Sequence, residues 1–192
     1  FRRWYKIMCC ANLPQMIISR SMSDASYVKS TNVGSVGVVA RNSSGEVIIS
    51  SWDFLGQCSS MNETELRACL TCLYIGITLH QSIILEIDCV FVRSFLANEK
   101  LDRSPLVDLK KEALSISRMI KNFKIAKINR LANGVAHKIA KFSFISRSEG
   151  ILLNSVPPCV ANLVMNDYNN LLINIWGVFK KIKERITRRN WY

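Results

Sequence analysis

The chain has 192 residues, 49% of them hydrophobic and 21% charged, and a formal net charge of +12 at pH 7. This composition is typical of a folded globular protein and excludes an intrinsically disordered chain, and no apolar run reaches the ~20 residues that a membrane-spanning helix needs. The excess of Lys and Arg favours a polyanionic partner such as a nucleic acid, although an ordinary basic surface gives the same count.

The N-terminal part is predicted to be an irregular segment followed by three strands. Residues 1–17 show no periodicity and no signal-peptide pattern. From Ile18 onwards, larger side chains alternate with small polar ones, which indicates a first strand. Residues 34–41 are rich in Val, 42–45 read NSSG and 46–54 read EVIISSWDF. Because Asn, Ser and Gly suit tight turns, this pattern predicts a β-hairpin.

A helix is predicted next, with Ser60 or Asn62 as its N-cap and its end near residues 79–80. Glu63 and Glu65 would lie in its first turn, where the helix dipole favours acidic side chains. Its apolar residues recur with the helical period and form one stripe: Leu66, Cys69, Leu70, Leu73 and Ile77. The stripe predicts that this helix packs on the sheet.

Cys69 and Cys72 have the spacing of half a zinc site. No second Cys or His pair follows at a suitable distance, and Cys69 lies on the apolar stripe, so we interpret these residues as reduced thiols in the core. The seven cysteines show no disulfide-framework spacing. We therefore expect a reducing, intracellular compartment, with no signal that distinguishes nucleus from cytoplasm.

Residues 83–92 read IILEIDCVFV, an apolar run that is typical of a buried strand but carries Glu86 and Asp88. Carboxylates are costly to bury without a partner. Asp88 is therefore expected to mark the wet end of the strand, to cap the helix that follows or to bind a cation. Glu86 is interpreted as a solvent-facing or ion-paired residue.

The remaining elements alternate between helix and strand. Helices are predicted over residues 90–97, from Pro105 to about residue 120 and over 133–144, and a strand is predicted over 123–128. The order β-β-β-α-β-α-α-β-α predicts an α/β domain with a mixed sheet and helices on both faces.

Three acids are expected to meet at one edge of this sheet. If the first and fourth strands are parallel neighbours, Asp24 and Asp88 lie side by side near their carboxyl ends, and Glu65 lies at the start of the intervening helix. Such a cluster repels itself unless a cation is present, and hard oxygen ligands suit Mg²⁺. Taken singly, each acid has an ordinary interpretation: a turn residue for Asp24, a helix-dipole acid for Glu65 and a helix cap for Asp88.

Several blocks of sequence resemble the ribonuclease H-like superfamily, in the reverse-transcriptase-associated version abundant in plant genomes. They are DAS at 24–26, GSVGVVARNSSG at 34–45, TELRA at 64–68, LEIDC at 85–89 and NRLANGVAHKIAK at 129–141. The similarity covers about residues 18–144, and PPCVANLVMND at 157–167 is also like the family's tail. It implies a ribonuclease H-like α/β fold with a five-stranded mixed sheet, three antiparallel strands followed by two parallel ones.

The resemblance also implies an activity and a site. Asp24 corresponds to the aspartate that bridges two metal ions, and Glu65 and Asp88 correspond to further ligands. His137 stands where ribonuclease H enzymes have a fourth acid, a substitution common in the plant subfamily. The implied reaction is Mg²⁺-dependent cleavage of the RNA strand of an RNA–DNA hybrid, and imidazole would shift the preference towards Mn²⁺. The alternative is a nucleic-acid-binding module that has lost turnover.

A group of basic residues follows in and next to the helix predicted from Pro105 and the strand predicted over 123–128. It would either lie along a phosphate backbone or form a solvated face. Its members are Lys110, Lys111, Arg118, Lys121, Lys124, Lys127 and Arg130. The resemblance includes Arg130 and Asn133, which match the motif before the last helix and are expected to be structural or close to a phosphate.

The C-terminal residues 168–192 combine an apolar stripe with basic residues, which predicts a basic amphipathic helix. Such a helix packs on its own domain, binds a partner or lies on a membrane surface. The predicted organisation is an irregular extension over residues 1–17, a ribonuclease H-like domain over 18–146, a Pro-containing tail over 147–167 and this helix. A monomer is taken as the default state.

Overall fold

The computed structural model describes residues 18–78, 82–98 and 103–167. They form a six-stranded sheet in the order β5-β4-β1-β2-β3-β6. The first three strands, β1 (Ile18–Val28), β2 (Val33–Asn42) and β3 (Val47–Gln57), pair antiparallel. β4 (Ile83–Ile87) pairs parallel to β1, and β5 (Phe123–Lys127) pairs parallel to β4. The predicted succession of three antiparallel strands and two parallel ones is therefore present.

The predicted hairpin between β2 and β3 closes through the side chain of Asn42. Its Oδ1 atom accepts hydrogen bonds from the backbone N–H groups of Ser44 and Glu46, at 3.0 and 2.9 Å. Gly45 has a φ of 84°, a conformation that side-chain-bearing residues rarely adopt. The NSSG sequence therefore forms the turn for the reason that its composition suggested.

Helix α1 (Met61–Thr78) begins at a polar N-terminal arrangement centred on Ser60 and Glu63. The Ser60 hydroxyl accepts a hydrogen bond from the Glu63 N–H at 3.2 Å, and the Glu63 carboxylate accepts one from the Ser59 N–H at 2.7 Å. These bonds satisfy backbone donors that have no partner inside the helix. Because the helix begins at Met61, Glu65 lies in its second turn and not in the first turn as predicted.

Helices α2 (Val90–Ala97), α3 (Val107–Met119) and α4 (Gly134–Ser146) follow, and a 3₁₀ turn (Arg130–Asn133) leads into α4. A second 3₁₀ turn (Pro158–Val160) leads into helical residues 161–167. Two apolar clusters cover opposite faces of the sheet. Val38 packs in the larger cluster with residues of α1, α2 and α3, whereas its neighbour Val39 packs with residues of α4. Successive strand residues point to opposite faces, so the sheet has helices on both faces, as predicted.

The sixth strand, β6 (Gly150–Leu153), was not predicted. It pairs antiparallel with β3 between Trp52 and Ile49, inside the segment interpreted as a Pro-containing tail. Its sequence, GILL, is too short to show a strand period, and its pairing depends on an edge of the sheet that only the fold creates. The domain boundaries otherwise stay a prediction.

Two predicted segments, the irregular extension over residues 1–17 and the basic helix over 168–192, lie outside the described residues. Among the residues that are described, no helix is long and apolar enough to cross a membrane.

Candidate functional site

A cavity of about 840 Å³ opens where β4 ends beside β1, and all four side chains predicted as metal ligands line it: Asp24, Glu65, Asp88 and His137. The sheet register explains how two of them meet. Met22 of β1 is paired with Glu86 of β4, so Asp24 and Asp88, each two residues further along, lie level with each other. β1 continues past Asp24 to Val28 because it still pairs with β2, so Asp24 lies within the strand and not at its end.

Asp24 is buried, and both of its carboxylate oxygens accept hydrogen bonds. Oδ1 accepts from the Ala25 N–H at 2.8 Å, and Oδ2 lies 2.8 Å from Nδ1 of His137. Burial raises the pKa of Asp24; the Ala25 N–H opposes this rise, the charge of Asp88 adds to it, and His137 opposes it. The aspartate is therefore held in one orientation by its own backbone and by α4.

His137 reaches Asp24 because α4 lies unusually close to the sheet at Gly37. Gly37 is paired with Asp24 across β1 and β2. A Cβ atom on Gly37 would lie 2.3 Å from the backbone N of Ala140 and 2.5 Å from the carbonyl O of Ala136. Only glycine fits this contact, so the helix that carries His137 packs directly against the strand position opposite Asp24.

Glu65 lies on α1 and is largely buried. Burial, followed by the charges of Asp24 and Asp88, raises the pKa of Glu65 to about 9, and Arg130 opposes the shift. Its carboxyl group is therefore mainly protonated at pH 7 in this arrangement. The charges of Asp24 and Asp88 thus oppose the ionisation of Glu65, and a bound cation would relieve this effect.

Asp88 follows the last residue of β4. The N-cap position of α2 is Cys89, which makes no capping bond through its side chain. The Asp88 Oδ1 atom instead accepts a hydrogen bond at 2.9 Å from the side-chain amide of Asn133. The strand's other acid, Glu86, is buried and lies 3.7 Å from Arg20, which agrees with the ion-paired interpretation.

Among the described residues, no group of three or more His, Cys, Asp and Glu side chains is arranged so that it could hold a metal ion. In this arrangement Asp24 is hydrogen-bonded to His137 and Asp88 to Asn133. The donor chemistry nevertheless fits Mg²⁺ or Mn²⁺, since such ions are usually bound by one or two carboxylates and completed by water and phosphate oxygens. The carboxylates of one open cavity meet that requirement.

The residues predicted to bind nucleic acid do not share one environment. Arg130 is exposed and lines the cavity, together with Lys127. Lys111, Lys121 and Lys124 are exposed but do not line it.

Two of these residues require correction. Lys110 is only 5% exposed, and its ammonium lies 4.6 Å from the centre of the Phe95 ring, so it stabilises the packing of α3 on α2. Asn133 is fully buried, which prevents direct contact with a nucleic acid. Lys110 lies four residues after Leu106 and three before Ala113, both buried, so the helical period was an available signal for it, whereas Asn133 precedes α4 and carried no such signal.

Several residues that were not predicted also line the cavity, among them Tyr27, Met61 and Val90. Met61 lies one helical turn before Glu65, so the i, i+4 spacing was an available signal. Val90 follows Asp88 by two residues at the start of α2. Tyr27 carried no signal, because its place at the cavity depends on how far β1 extends.

Comparisons with known proteins agree with this geometry. A family model described as "Reverse transcriptase-like" matches residues 22–143, whereas no curated protein sequence matches the chain. RNase H1 from the halophilic archaeon Halobacterium salinarum NRC-1 is 18% identical, with a TM-score of 0.61 over 67% of this chain and 98% of that one. The N-terminal RNase H domain from Mycobacterium tuberculosis, solved as a fusion with maltose-binding protein, is 16% identical, with a TM-score of 0.62 over 67% and 95%.

A third solved structure, LC11-RNase H1 in complex with an RNA/DNA hybrid, is 15% identical, with a TM-score of 0.60 over 67% of this chain and 97% of that one. At these identities the likeness shows the fold alone. The predicted ribonuclease H-like fold is confirmed, with a sixth strand added to the predicted five.

Proposed function

Because this chain belongs to the reverse transcriptase-like family and has the ribonuclease H-like fold, we propose that it binds RNA–DNA hybrids and cleaves their RNA strand in a reaction that depends on a divalent metal ion. The observation that carries the proposal is the meeting of Asp24, Glu65 and Asp88 in one open cavity. Burial and the charges of Asp24 and Asp88 raise the pKa of Glu65 to about 9, so the ionised form of Glu65, which would bind a metal ion, is unfavourable unless a cation is present.

Asp24, Glu65 and Asp88 are the residues that would hold the ion or ions, and His137 occupies the fourth position. A bound Mg²⁺ or Mn²⁺ ion supplies an activated water and stabilises charge on the leaving oxygen of a phosphodiester. The chain's own contribution is to fix these side chains. β1 and the end of β4 hold the two aspartates level with each other, and α1 carries Glu65 into the same cavity.

The basic residues beside the cavity support binding of a phosphate backbone. Arg130 and Lys127 line the same cavity as the carboxylates, so their positive charge would favour a phosphate in it. Lys124 lies three residues before Lys127 on β5, about 10 Å along the strand. Lys111 and Lys121 add further exposed positive charge on the loop and helix before β5. These positions suit a partner that extends beyond the cavity.

One observation favours a second candidate, a nucleic-acid-binding module without turnover. The Asp24 carboxylate is paired with His137, and imidazole is a poorer ligand than carboxylate for Mg²⁺. A metal ion would therefore share the aspartate with a protein hydrogen bond and gain only a weak fourth ligand. In this alternative the fold and the basic surface retain the hybrid, and no product forms.

A cleavage assay on a labelled RNA–DNA hybrid, run with Mg²⁺ and separately with Mn²⁺, distinguishes the two candidates. Cleavage is expected with at least one of the ions. Asp88→Asn is expected to reduce it about 100-fold or more, because removing a ligand costs at least as much as removing a partner of that ligand. Asp108→Asn makes the same chemical change at a carboxylate that is 91% exposed on α3, and it should leave the rate unchanged.

Hybrid binding without a divalent ion is measured on the same variants. The proposal is supported if Asp88→Asn still binds the hybrid but no longer cleaves it. Binding by the unsubstituted chain with no product in either metal ion contradicts it and favours the module without turnover.

A further inference from the structure

The side chain of Asn133 makes two buried hydrogen bonds that connect the candidate site to the sheet. Its Nδ2 atom donates to the Ser23 carbonyl O at 2.8 Å and to Asp88 Oδ1 at 2.9 Å. Both partners are acceptors, so the chemistry fixes which end of the amide faces them. The side chain is fully buried, and the two bonds use both of its N–H protons.

This arrangement is not the one that helix stability favours. Asn133 is the N-cap residue of α4, where an Asn side chain normally accepts a hydrogen bond from the first turn of the helix, yet it makes no capping bond. Its Oδ1 atom is buried without a hydrogen-bond partner in the described part of the chain. A buried acceptor without a partner is destabilising, so the two donor bonds are maintained against a cost to the fold.

The bonds of Asn133 join the three elements that carry three of the four candidate ligands. The Ser23 carbonyl belongs to the peptide group that leads into Asp24 on β1, and Asp88 follows β4. Asn133 itself lies one helical turn before His137 on α4. One amide group therefore holds β1, the end of β4 and the start of α4 in register with one another.

We infer that Asn133 is a positioning residue of the site, which fixes the orientation of the Asp88 carboxylate relative to Asp24 and so increases the affinity of the site for a divalent ion. The inference rests on the proposed function, because it takes Asp88 to be a ligand. Hydrogen-bond partners of metal ligands orient those ligands, and their loss typically lowers metal affinity by about 10- to 100-fold. The buried position of Asn133 agrees with this role and not with contact to a nucleic acid.

The test is the affinity of the full chain for Mn²⁺, measured by titration calorimetry without nucleic acid. Asn133→Ala removes both donor bonds and is expected to weaken Mn²⁺ binding about 10-fold or more. The matched control is Ser35→Ala, which removes a buried hydrogen bond of 2.8 Å from β2 to the Ala140 carbonyl of α4 and does not touch the cavity. Ser35→Ala should destabilise the fold in a similar way and change Mn²⁺ affinity by less than about twofold.

Equal loss of Mn²⁺ affinity in the two variants, or unchanged affinity in Asn133→Ala, overturns the inference. If Asn133→Ala does not fold, the side-chain amide protons of Asn133 are followed by NMR in the unsubstituted chain and in Asp88→Ala. Their hydrogen exchange should accelerate when Asp88 is truncated, and unchanged exchange overturns the inference.

The outcomes separate this inference from the proposed function. Mn²⁺ binding that depends on Asn133, in a chain that leaves the hybrid uncut, retains the positioning role and contradicts the cleavage activity. Hybrid cleavage by a chain whose Mn²⁺ affinity does not change in Asn133→Ala supports the cleavage activity and overturns the positioning role. No Mn²⁺ binding by the unsubstituted chain overturns the positioning role, and the cleavage assay then decides the proposed function by itself.

Discussion

At the scale of single residues, the contact between His137 and Asp24 determines how the candidate site would admit a cation. Asp24 accepts hydrogen bonds on both oxygens, from His137 and from its neighbour's backbone N–H. The same aspartate is the residue that the family resemblance assigns to both metal ions. A cation at Asp24 would therefore use the remaining lone pairs of these oxygens, beside an imidazole that already holds one of them.

Replacing the imidazole by a carboxylate should change this balance. His137→Asp introduces a hard oxygen donor and removes the hydrogen bond to Asp24, so we expect faster hybrid cleavage with Mg²⁺ and a smaller preference for Mn²⁺. Rates with each ion on a labelled hybrid measure the effect. Lys141→Asp is the control, because it adds an acid at an exposed position one turn further along α4. An unchanged Mg²⁺ rate in His137→Asp would show that the fourth position does not limit the reaction.

At the scale of elements, the position of α4 depends on one glycine. The helix packs so closely on β2 that a Cβ atom at Gly37 would overlap backbone atoms of Ala136 and Ala140. Backbone atoms cannot move aside as a flexible side chain can. The helix axis, and with it His137 and Asn133, must therefore shift if this position gains a side chain.

Gly37→Ala is expected to lower the free energy of unfolding by roughly 1–3 kcal/mol, which is the usual cost of inserting a group into a packed interface. It should also separate His137 from Asp24, which the NMR shifts of the His137 ring report. Gly134→Ala is the matched control at the start of the same helix, where an added Cβ would lie no closer than 3.7 Å to another group, from Leu163. Denaturation curves that do not differ between the two variants would refute the close-packing argument.

At the scale of the whole molecule, the effect of the net charge of +12 on nucleic-acid binding depends on which Lys and Arg side chains are exposed. Lys124 is exposed on β5, about 10 Å along the strand from the cavity-lining Lys127, whereas Lys110 is buried over Phe95. Both contribute equally to the formal charge. Only an exposed cation releases counterions from a phosphate backbone when it makes contact.

The affinity for an RNA–DNA hybrid should therefore fall steeply with salt, and two lysine variants should differ in that dependence. Lys124→Gln is expected to reduce the slope of log affinity against log salt concentration by about 1, and Lys110→Gln should leave it unchanged. Binding titrations in EDTA over a range of salt concentrations measure the slopes. A larger effect of Lys110→Gln would contradict the assignment of binding to the exposed lysines.

Local sequence patterns predicted most of the secondary structure. The NSSG turn, the cap at Ser60 and the limits of α2 follow from short-range chemistry, because turns, caps and amphipathic periods are set by neighbouring residues. The strand β6 and the contact of Lys110 with the Phe95 ring could not be predicted from such patterns. Both depend on contacts between distant residues, which leave no local period.

The sequence by itself determined the order of β1 to β5 and of α1 to α4, and through the spacing of its acids and its family resemblance it indicated four of the residues that line the cavity. Only the tertiary structure decided the contacts of those residues. Asp24 is hydrogen-bonded to His137, Asp88 is hydrogen-bonded to Asn133, and α4 packs on the sheet at Gly37, where no side chain stands in the way. The physical reason is range. Periodicity and capping act over a few residues, whereas the hydrogen bonds from α4 to Asp24 and Asp88 join residues 113 and 45 positions apart, which only the packing of α4 on the sheet brings within 3 Å.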